Sequence, residues 1–430
     1  MIKRMRLTTA IAFAKSAGYV SQLLNTGAGT TWAGKTSLTI FPKTISSLSQ
    51  QLTHRIVVVG TNGKTTTTAM IAHILSTTGM RVVHNATGAN LRNGIAGCLV
   101  RYSLATGHMN ADVGVFEVDE AELKHVIHEL DPTIIVMLNL FRDQLDRYGE
   151  LDAIAREWNN AFSRVSKKTK LVANADDPLI AHIGEVSNRS VAYFGLSRGK
   201  KRHIADLTAD SSYCISCGSK LTYEWISYAH LGKWSCGLCG RKRPHISVPH
   251  VTNPLAGTYN MYNSLAAFLA CIQTGISVHS AQEALESFTP VFGRQESLRV
   301  KGRTVQILLS KNPAGFNESM RTVIAHDRHP VVIIALNDRI VDGTDVSWIW
   351  DTDSESLVDA ALHIVCTGDR AWDMGVRVKY AAKSHVTIEP DLKKALDVGL
   401  KTVKDGQTLY VLPTYSAMLD IRKILTGRKI

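Results

Sequence analysis

The 430-residue sequence lacks several features that mark special classes of protein. No apolar run approaches the roughly 18 residues that a membrane-spanning helix needs. The basic and apolar start, residues 1–14, is cut by Lys15 and precedes no convincing cleavage site, which favours an amphipathic helix over a signal peptide. Internal repeats and low-complexity tracts are absent. We therefore expect a globular protein of the cytoplasm, at most peripheral to the inner face of the membrane.

Cysteines are few and unevenly spaced. Of the seven, four form two close pairs, Cys214 with Cys217 and Cys236 with Cys239. This spacing favours a reducing compartment and one metal site over a disulfide framework. Two C-x-x-C turns offer four thiolates, which suit tetrahedral Zn²⁺. Because four protein ligands leave no open coordination position, we expect the zinc to be structural.

Acidic residues are outnumbered, with 37 Asp and Glu against 49 Lys and Arg, for a net charge of +12. Such an excess favours an anionic partner, whether nucleotide, nucleic acid or acidic lipid surface, but a solvated basic surface explains it equally well. Basic residues also flank the cysteine pairs at 200–202 and 241–243. Nucleic-acid binding by a zinc ribbon therefore stays an alternative to a ribbon that supports the fold.

Two stretches are candidates for the phosphate-loop pattern G-x-x-x-x-G-K-[ST]. One lacks the surrounding strand and helix, and the other lacks one glycine of the pattern. Residues 29–36 match every letter, but no strand leads into them and a proline follows soon after. Residues 55–68 lack the first glycine, yet they run from a β-branched strand through a glycine turn into a helix. Only that layout aims backbone N–H groups and a helix dipole at a phosphate. We therefore place the nucleotide at Lys64, with Lys35 as the weaker alternative.

Apolar strand-like runs alternate with helical patterns from residue 55 to 196 and again from about 304 to 412. Such alternation is typical of a parallel sheet covered on both faces, with ligands at the carboxyl ends of the strands. The sequence therefore predicts an α/β protein. Its parts are an N-terminal helical and loop segment (1–50), a central ATP-binding domain (51–295) with a zinc-ribbon insert (about 205–245), and a smaller Rossmann-like C-terminal domain (296–430).

Acidic and polar side chains follow several of the predicted strands. Glu117 ends one strand at the edge where the Lys64 loop must lie, so its carboxylate and the Thr65 hydroxyl are candidate Mg²⁺ ligands. The acids at 119, 120 and 122 are interpreted as helix N-terminal residues that favour the helix dipole. Lys311 and Asn312 follow another strand, where they could bind an acidic substrate or form a plain turn before a proline-initiated helix.

Together these stretches resemble the Mur ligase superfamily, ATP-dependent ligases that form amide bonds. The similar stretches are residues 60–66, Glu117, and residues 139–149, 174–178, 257–267 and 292–296. The resemblance implies that Thr65 and Glu117 hold Mg²⁺ and that ATP contacts Gly60, Thr61, Asn62, Gly63, Lys64, Thr65, Thr66, Asn260, Asn263 and Arg294. Gln144 replaces a magnesium-binding histidine and Arg156 a carbamylated lysine of the family. A guanidinium cannot become a carbamate, which argues against the same second-metal arrangement.

The zinc ribbon and four stretches of the last domain, at 309–317, 337–338, 342–351 and 412–415, narrow the resemblance to the MurT family. These proteins are the ligase-like subunits of lipid II isoglutaminyl synthase. The resemblance implies ATP-dependent amidation, through an acyl phosphate, of the D-glutamate α-carboxylate in the lipid II stem peptide, a step of peptidoglycan synthesis. It also implies a GatD-type glutaminase partner that supplies ammonia, and lipid II as the substrate at the membrane surface.

The same resemblance implies that an aspartate near the Trp348–Trp350 cluster completes the Cys–His pair of the glutaminase, and Asp345 and Asp351 both stay open. Two other functions compete. One is a stand-alone ligase of the Mur or folylpolyglutamate type that adds an amino acid. The other is a zinc-ribbon ATPase that binds nucleic acid, but no helicase-like motif follows the phosphate loop, so no nucleic acid is expected.

Overall fold

The computed structural model describes residues 2–23, 29–85, 89–141, 151–199, 211–248, 250–289, 294–381 and 386–427. The chain divides into two compact units. Of the described residues, the first unit comprises those up to Phe141 and those within Tyr148–Leu255 and Tyr259–Phe288, and the second comprises Ala256–Thr258 and those within Thr289–Ile430. Within the described residues, no helix combines the length and the apolar character needed to cross a membrane.

The first unit begins with three helices, α1 (Ile2–Leu23), α2 (Thr30–Ile40) and α3 (Thr44–Ser49). Helix α2 lies where the sequence indicated a glycine-rich loop. A Cβ added to Gly34 would lie 1.7 Å from the carbonyl oxygen of Asn93, and one added to Gly97 would lie 1.9 Å from that of Thr30. These glycines therefore permit a close crossing of α2 with α5 (Arg92–Tyr102). Because Gly34 is part of a packed helix and not of a loop, the structure argues against a phosphate loop at Lys35.

Six parallel strands form the sheet of the first unit, in the order β2-β3-β1-β4-β5-β6. The four apolar residues of β1, residues 56–59, are fully buried, as expected for a strand covered on both faces. The strands are β1 (His54–Val59), β2 (Val82–His84), β3 (Val113–Glu117), β4 (Ile134–Met137), β5 (Lys170–Asn174) and β6 (Val191–Phe194). The covering helices include α4 (Lys64–Thr77), α5, α6 (Leu123–Leu130), α7 (Leu151–Ser163), α8 (Pro178–Val186), α9 (Thr258–Ile272) and α10 (Val278–Glu286).

An antiparallel hairpin, β7 (Leu221–Tyr228) and β8 (Leu231–Cys236), forms the insert. It docks on the end of β5: the Trp234 indole N–H donates to the Ala175 carbonyl at 3.0 Å, and the Gly232 N–H donates to the Asp176 carbonyl at 3.0 Å. The sequence predicted the position of the insert but did not predict its two strands.

The second unit holds a sheet of order β13-β12-β11-β14-β10-β9. Its edge strand β9 (Arg294–Val300) was not predicted, and it pairs antiparallel with β10 through a turn at Lys301 and Gly302, both at positive φ. The other strands pair in parallel and are β10 (Arg303–Leu308), β11 (Val331–Ala335), β12 (His363–Thr367), β13 (Val386–Ile388) and β14 (Thr408–Pro413). The helices are α11 (Pro313–His326), a 3₁₀ helix (Ser347–Asp351), α12 (Ser354–Ala360), α13 (Ala371–Ala381), α14 (Leu392–Thr402) and α15 (Tyr415–Thr426).

Candidate nucleotide and metal sites

The loop between β1 and α4 can be built only with glycine at two positions. Gly60 has φ 140° and Gly63 has φ 91°, values that side chains rarely tolerate. A Cβ at Gly63 would lie 2.1 Å from Oδ1 of Asn263, and one at Gly60 would lie 3.0 Å from the backbone nitrogen of Asn139. The loop is therefore pressed between two other segments, and α4 begins directly after it at Lys64.

Asn139, which follows β4, holds this loop from one side. Its backbone oxygen accepts from the Thr61 N–H at 2.9 Å and its Oδ1 accepts from the Asn62 N–H at 2.8 Å. Its Nδ2 donates back to the Asn62 carbonyl at 3.1 Å. The stretch 139–149 thus begins as a brace for the phosphate loop. Residues 142–149 of that stretch, including Gln144, lie outside the described residues, and Arg156 is exposed on α7.

Asn260 and Asn263, on α9, brace the same loop from the other side. Both are buried, and Asn263 Nδ2 donates to Asn260 Oδ1 at 3.1 Å. The Thr67 hydroxyl donates to Asn263 Oδ1 at 3.3 Å. These contacts make the pair a support for the first turn of α4, where Thr66 is also buried. Their direct contact with a nucleotide stays a prediction.

Lys64 is buried and already engaged with protein oxygens. Its Nζ donates to the Gly60 carbonyl at 2.6 Å and to Glu120 Oε2 at 2.9 Å. Burial alone would lower the pKa of Lys64, but the negative charges of Glu120 and Glu117 outweigh that effect and raise the pKa well above its usual value. The lysine therefore carries a full positive charge in a largely dry site.

Glu120 is the residue that sequence reasoning misjudged. It was interpreted as a helix-dipole acid, but α6 begins only at Leu123, and the Glu120 side chain is buried against Lys64. The Trp158 indole N–H, from α7, donates to the Glu120 backbone oxygen at 3.0 Å and helps to hold the segment. Lys64 and Glu120 are 56 residues apart in the sequence, so no local pattern predicts that they pair. The only signal is that an acidic residue lies shortly after the end of a strand.

Glu117 lies at the end of β3, beside Val58 of β1 in the strand register. Its side chain is only 4% exposed, and its Oε2 has no hydrogen-bond partner among the described residues. Its backbone is held by Asn85, whose side chain bonds both the N–H and the C=O of Glu117. A buried carboxylate oxygen without a donor is unfavourable unless a cation occupies its open side, so this residue fits a Mg²⁺ ligand. Thr65, half-buried in the first turn of α4, supplies a hydroxyl at the same end of the sheet.

The four predicted zinc ligands come together. The Sγ atoms of Cys214, Cys217, Cys236 and Cys239 all lie within 4.8 Å of one another. Each pair sits on a turn closed by a glycine N–H: Gly218 donates to the Cys214 carbonyl at 2.8 Å, and Gly240 donates to that of Cys236 at 3.1 Å. Hydrogen bonds, chiefly from the Cys239 backbone N–H, lower the pKa of Cys236 to about 5, which favours the thiolate that zinc requires.

Basic residues of the insert serve its docking. The Arg243 Nε donates to Asp176 Oδ1 at 2.5 Å, and Arg241 pairs with Glu185 of α8 at 2.7 Å. The buried carboxylate of Asp176 also accepts from the Tyr262 hydroxyl at 2.5 Å. Two of the three cations at 241–243 are therefore engaged within the fold, which disfavours a nucleic-acid surface at this point.

The neighbouring Asp177 ties the insert to the stretch that braces the phosphate loop. It caps α8, accepting from the N–H groups of Leu179 and Ile180. Its Oδ2 accepts from the Leu140 N–H at 2.9 Å and lies 3.3 Å from Nε2 of buried His230. The predicted stretch 174–178 is thus a structural junction.

In the second unit, Asn312 and Lys311 follow β10 as expected. The Asn312 side chain is buried and caps α11, because its Oδ1 accepts from the Gly315 N–H at 2.8 Å and Pro313 begins the helix. This matches the plain-turn alternative for Asn312, while substrate binding by half-buried Lys311 stays a prediction. Arg294 begins β9, and its side chain lies outside the described part of the chain.

Asp345 and Asp351 differ in their surroundings. Both oxygens of Asp345 accept from Ser347, at 2.8 Å from the N–H and 2.9 Å from the hydroxyl, and these bonds lower the pKa of Asp345. Asp351 ends the 3₁₀ helix and is exposed, and its carboxylate makes no hydrogen bond or ion pair with the residues that the structure describes. Of the two, Asp351 has the carboxylate available to another molecule.

Comparisons with known families agree with this architecture. The Mur ligase middle domain matches residues 58–271, and the MurT ligase C-terminal domain matches residues 309–418. The lipid II isoglutaminyl synthase (glutamine-hydrolyzing) subunit MurT of Staphylococcus aureus (strain N315) is 31% identical, covering 96% of this chain and 96% of that protein. The subunit of the same name from Streptococcus pneumoniae (strain ATCC BAA-255 / R6) is 32% identical, covering 99% and 98%. The chain belongs to the MurT family.

Solved structures place this MurT-family chain in the wider ligase fold. A pseudomurein peptide ligase type C from Methanothermus fervidus superposes with a TM-score of 0.67 at 21% identity, covering 87% of this chain and 79% of that one. The folylpolyglutamate synthase of Mycobacterium tuberculosis gives a TM-score of 0.60 at 18% identity, covering 90% and 95%. At these identities the likeness concerns the fold alone, and it confirms the predicted Mur ligase-like α/β fold.

Proposed function

We propose that this chain is the synthetase subunit of an ATP-dependent carbon–nitrogen ligase that amidates the D-glutamate α-carboxylate of lipid II to D-isoglutamine. The observation that carries the proposal is the buried Glu117 oxygen without a donor, set beside a glycine loop that bears Lys64. That pair of features is what a triphosphate with its magnesium ion needs. Membership of the MurT family supplies the substrate class, since its named relatives are subunits of a lipid II isoglutaminyl synthase.

The chemistry follows from the weak electrophilicity of a carboxylate. The substrate oxygen takes the γ-phosphoryl group of ATP, releasing ADP and leaving an acyl phosphate. Ammonia then attacks the acyl carbon, the C–O bond to phosphate breaks, and the amide loses a proton to solvent. Lys64 and the loop N–H groups would hold the phosphates in position, while Glu117 and Thr65 would hold Mg²⁺, which neutralises phosphate charge when bound.

The ammonia would come from a second subunit of the glutaminase type. At neutral pH most free ammonia is protonated and not nucleophilic, so delivery from an attached glutaminase keeps the attacking nitrogen neutral. Asp351 supports this arrangement, because its exposed carboxylate could orient a histidine of the partner. Beside it, Trp350 is half exposed and packs edge-on against exposed Tyr380 at 5.7 Å, an aromatic pair typical of protein interfaces.

Zinc at the four cysteines would be structural, since four thiolates complete a tetrahedral shell and leave no position for substrate. The insert would then act by holding the stretch 174–178 and, through Asp177, the neighbourhood of Asn139. We propose no catalytic step for this metal.

Lys64→Ala should lower the rate of glutamine-dependent amidation of lipid II a hundredfold or more, while the partner still co-purifies with the chain. The physical reason is the loss of the cation that neutralises the phosphates during transfer. The measurement is amide formation followed by mass spectrometry of lipid II, with nucleotide binding followed in parallel.

Lys35→Ala is the matched control, because it removes the exposed lysine of the letter-for-letter phosphate-loop match on α2. That variant should keep wild-type activity when lipid II is presented in detergent, without a bilayer. Full activity in Lys64→Ala, or inactivity in Lys35→Ala alone, would refute the assignment of the nucleotide site.

A further inference from the structure

Helix α1 is apolar on two opposite faces. Its inner face is buried in the core of the first unit through Leu7, Ala10, Ile11 and Ala14. Its outer face exposes large apolar side chains, with Met5 at 66%, Phe13 at 61%, Tyr19 at 64% and Val20 at 50% of their accessible area. A helix with one apolar face normally turns a polar face to water, so the outer face of α1 is unusual for a surface helix.

Helix α2 lies against α1 and exposes a further aromatic side chain. A Cβ on Gly18 would lie 3.3 Å from the carbonyl of Gly29 and 3.4 Å from Cβ of Ala33, so α1 and the start of α2 are in close contact. Trp32, next to Ala33, is 55% exposed, and the Lys35 ammonium lies 5.8 Å from its ring. We call the surface made by Met5, Phe13, Tyr19, Val20 and Trp32, with exposed Arg6 and Lys35, the N-terminal face.

The charge of the chain is concentrated in the same region. Asp112 is the first acidic residue of the sequence, and 11 of the 49 Lys and Arg residues precede it. Four of those 11 cations, Arg55, Lys64, Arg81 and Arg92, pair with later carboxylates in the fold. Residues 1–50, which include α1 to α3, hold six of the others and no acidic residue. A segment that carries cations and no carboxylate of its own attracts anionic surfaces.

We propose that the N-terminal face docks the protein on an anionic lipid bilayer. The inference rests on the proposed function, in which the amidated carboxylate belongs to a lipid-linked precursor. Aromatic and aliphatic side chains would enter the region between headgroups and acyl chains, and the cations would contact lipid phosphates. Trp32 and Tyr19 suit this boundary, because each combines a large apolar ring with a polar N–H or O–H group. Docking would hold the first unit, with its nucleotide loop, at the surface from which the substrate projects.

The test is flotation of the full chain with phosphatidylcholine vesicles that contain or lack phosphatidylglycerol. Wild-type protein should float with the anionic vesicles and lose binding as salt is raised. The double variant Phe13→Ser/Trp32→Ser should bind about tenfold more weakly or worse, since two large apolar side chains no longer leave water. Lys35→Gln should weaken binding to the anionic vesicles roughly fivefold.

Val278→Ser is the matched control, since it removes a side chain that is 64% exposed on α10, outside the N-terminal face. Its vesicle binding should equal that of the wild type. Equal binding by the double variant, or no preference of the wild type for anionic vesicles, would overturn the proposal. So would a double variant that still floats but no longer captures the glutaminase, because the surface would then be a protein interface.

Failure of docking and failure of the proposed function can be told apart. Amidation of a short-chain, water-soluble lipid II analogue is measured for the same samples without vesicles. The double variant should amidate the analogue as well as the wild type and amidate lipid II in anionic vesicles more slowly. A wild type that amidates neither substrate would refute the proposed function, whereas normal amidation without any vesicle binding would refute docking alone.

Discussion

At the scale of single residues, the decisive contact is the buried ion pair between Lys64 and Glu120, at 2.9 Å with both side chains less than a tenth exposed. A buried pair of this kind contributes little net stability, but removal of one partner leaves a buried charge uncompensated. The lysine that we propose as the phosphate contact is therefore paired with a carboxylate of the protein itself. If nucleotide binds as proposed, phosphate oxygens would replace Glu120 as the partner of Lys64.

Glu120→Gln should accordingly destabilise the nucleotide-free protein, by on the order of 3 kcal/mol. Mg²⁺ and ATP should recover much of that loss, since the phosphates supply the missing negative charge. We expect the rise in melting temperature on adding Mg²⁺–ATP to be larger in the variant than in the wild type.

Glu122→Gln is the control for this experiment. Glu122 is half-buried, accepts from the Arg92 N–H at 3.3 Å, and makes no ion pair with Lys64. The rise in its melting temperature on adding Mg²⁺–ATP should match that of the wild type. An identical rise in the wild type, Glu120→Gln and Glu122→Gln would show that Glu120 does not compete with the nucleotide for Lys64.

At the scale of elements, the crossing of α2 and α5 explains why a perfect motif match is not a phosphate loop. Gly34 and Gly97 let the two backbones meet, and each glycine faces the carbonyl of the other helix. A glycine inside a helical pattern usually has such a packing reason. The incomplete match at residues 60–66 instead follows a strand, and there the glycines form a loop.

Gly34→Ala should therefore destabilise the fold by roughly 3 kcal/mol, because the added methyl group meets a backbone oxygen that cannot move without separating the helices. Lys35→Ala, at the exposed next position, should change the free energy of unfolding by no more than about 0.5 kcal/mol. Urea unfolding measures both. A Gly34→Ala variant as stable as the wild type would mean that the helices do not cross so closely.

The insert is an element whose stability should depend on metal. Cys214→Ser should remove the bound zinc, lower the melting temperature and loosen the docking that Trp234 and Arg243 provide. Metal analysis of the purified chain should give one zinc per molecule, and Ser216→Ala, in the same turn, should retain it. Loss of amidation with an unchanged melting temperature would contradict a structural role for zinc.

At the scale of the whole molecule, the named MurT relatives are subunits of a larger enzyme, we propose the same for this chain, and its second unit exposes Asp351 to solvent. If that carboxylate orients a histidine of the partner, its loss should affect ammonia production and leave ammonia use intact. Ammonium chloride at mildly alkaline pH bypasses the glutaminase, so the two activities can be measured separately.

Asp351→Asn should lower glutamine-dependent amidation a hundredfold or more, while amidation driven by ammonium chloride stays within about twofold of the wild type. Asp345→Asn, which only alters a turn held by Ser347, should cause a much smaller loss. The reverse order of effects would assign the role to Asp345. Equal loss of both activities in Asp351→Asn would place that residue in the synthetase reaction instead.

The sequence by itself determined the local elements and their order. Strands β5 and β12 lie in the two regions of predicted alternation, and helix α8 begins at the proline after Asp177, because apolar runs, a proline at a helix start and an aspartate cap are all local signals. The four cysteines were also predictable, since two short turns of fixed spacing suffice to bring thiolates together. Strand β9 was not predicted, because its mostly polar residues follow neither the pattern of a buried strand nor that of a helix.

Only the tertiary structure decided which side chains meet at the site. Lys64 pairs with Glu120 across 56 residues, and Gly63 must remain glycine because Asn263, 200 residues later, fills the space of a side chain. The burial that leaves the Glu117 oxygen without a donor likewise depends on the neighbouring strands. Such contacts depend on how the parallel strands are ordered in the sheet, and strand order is a property of the packed core that no local pattern encodes.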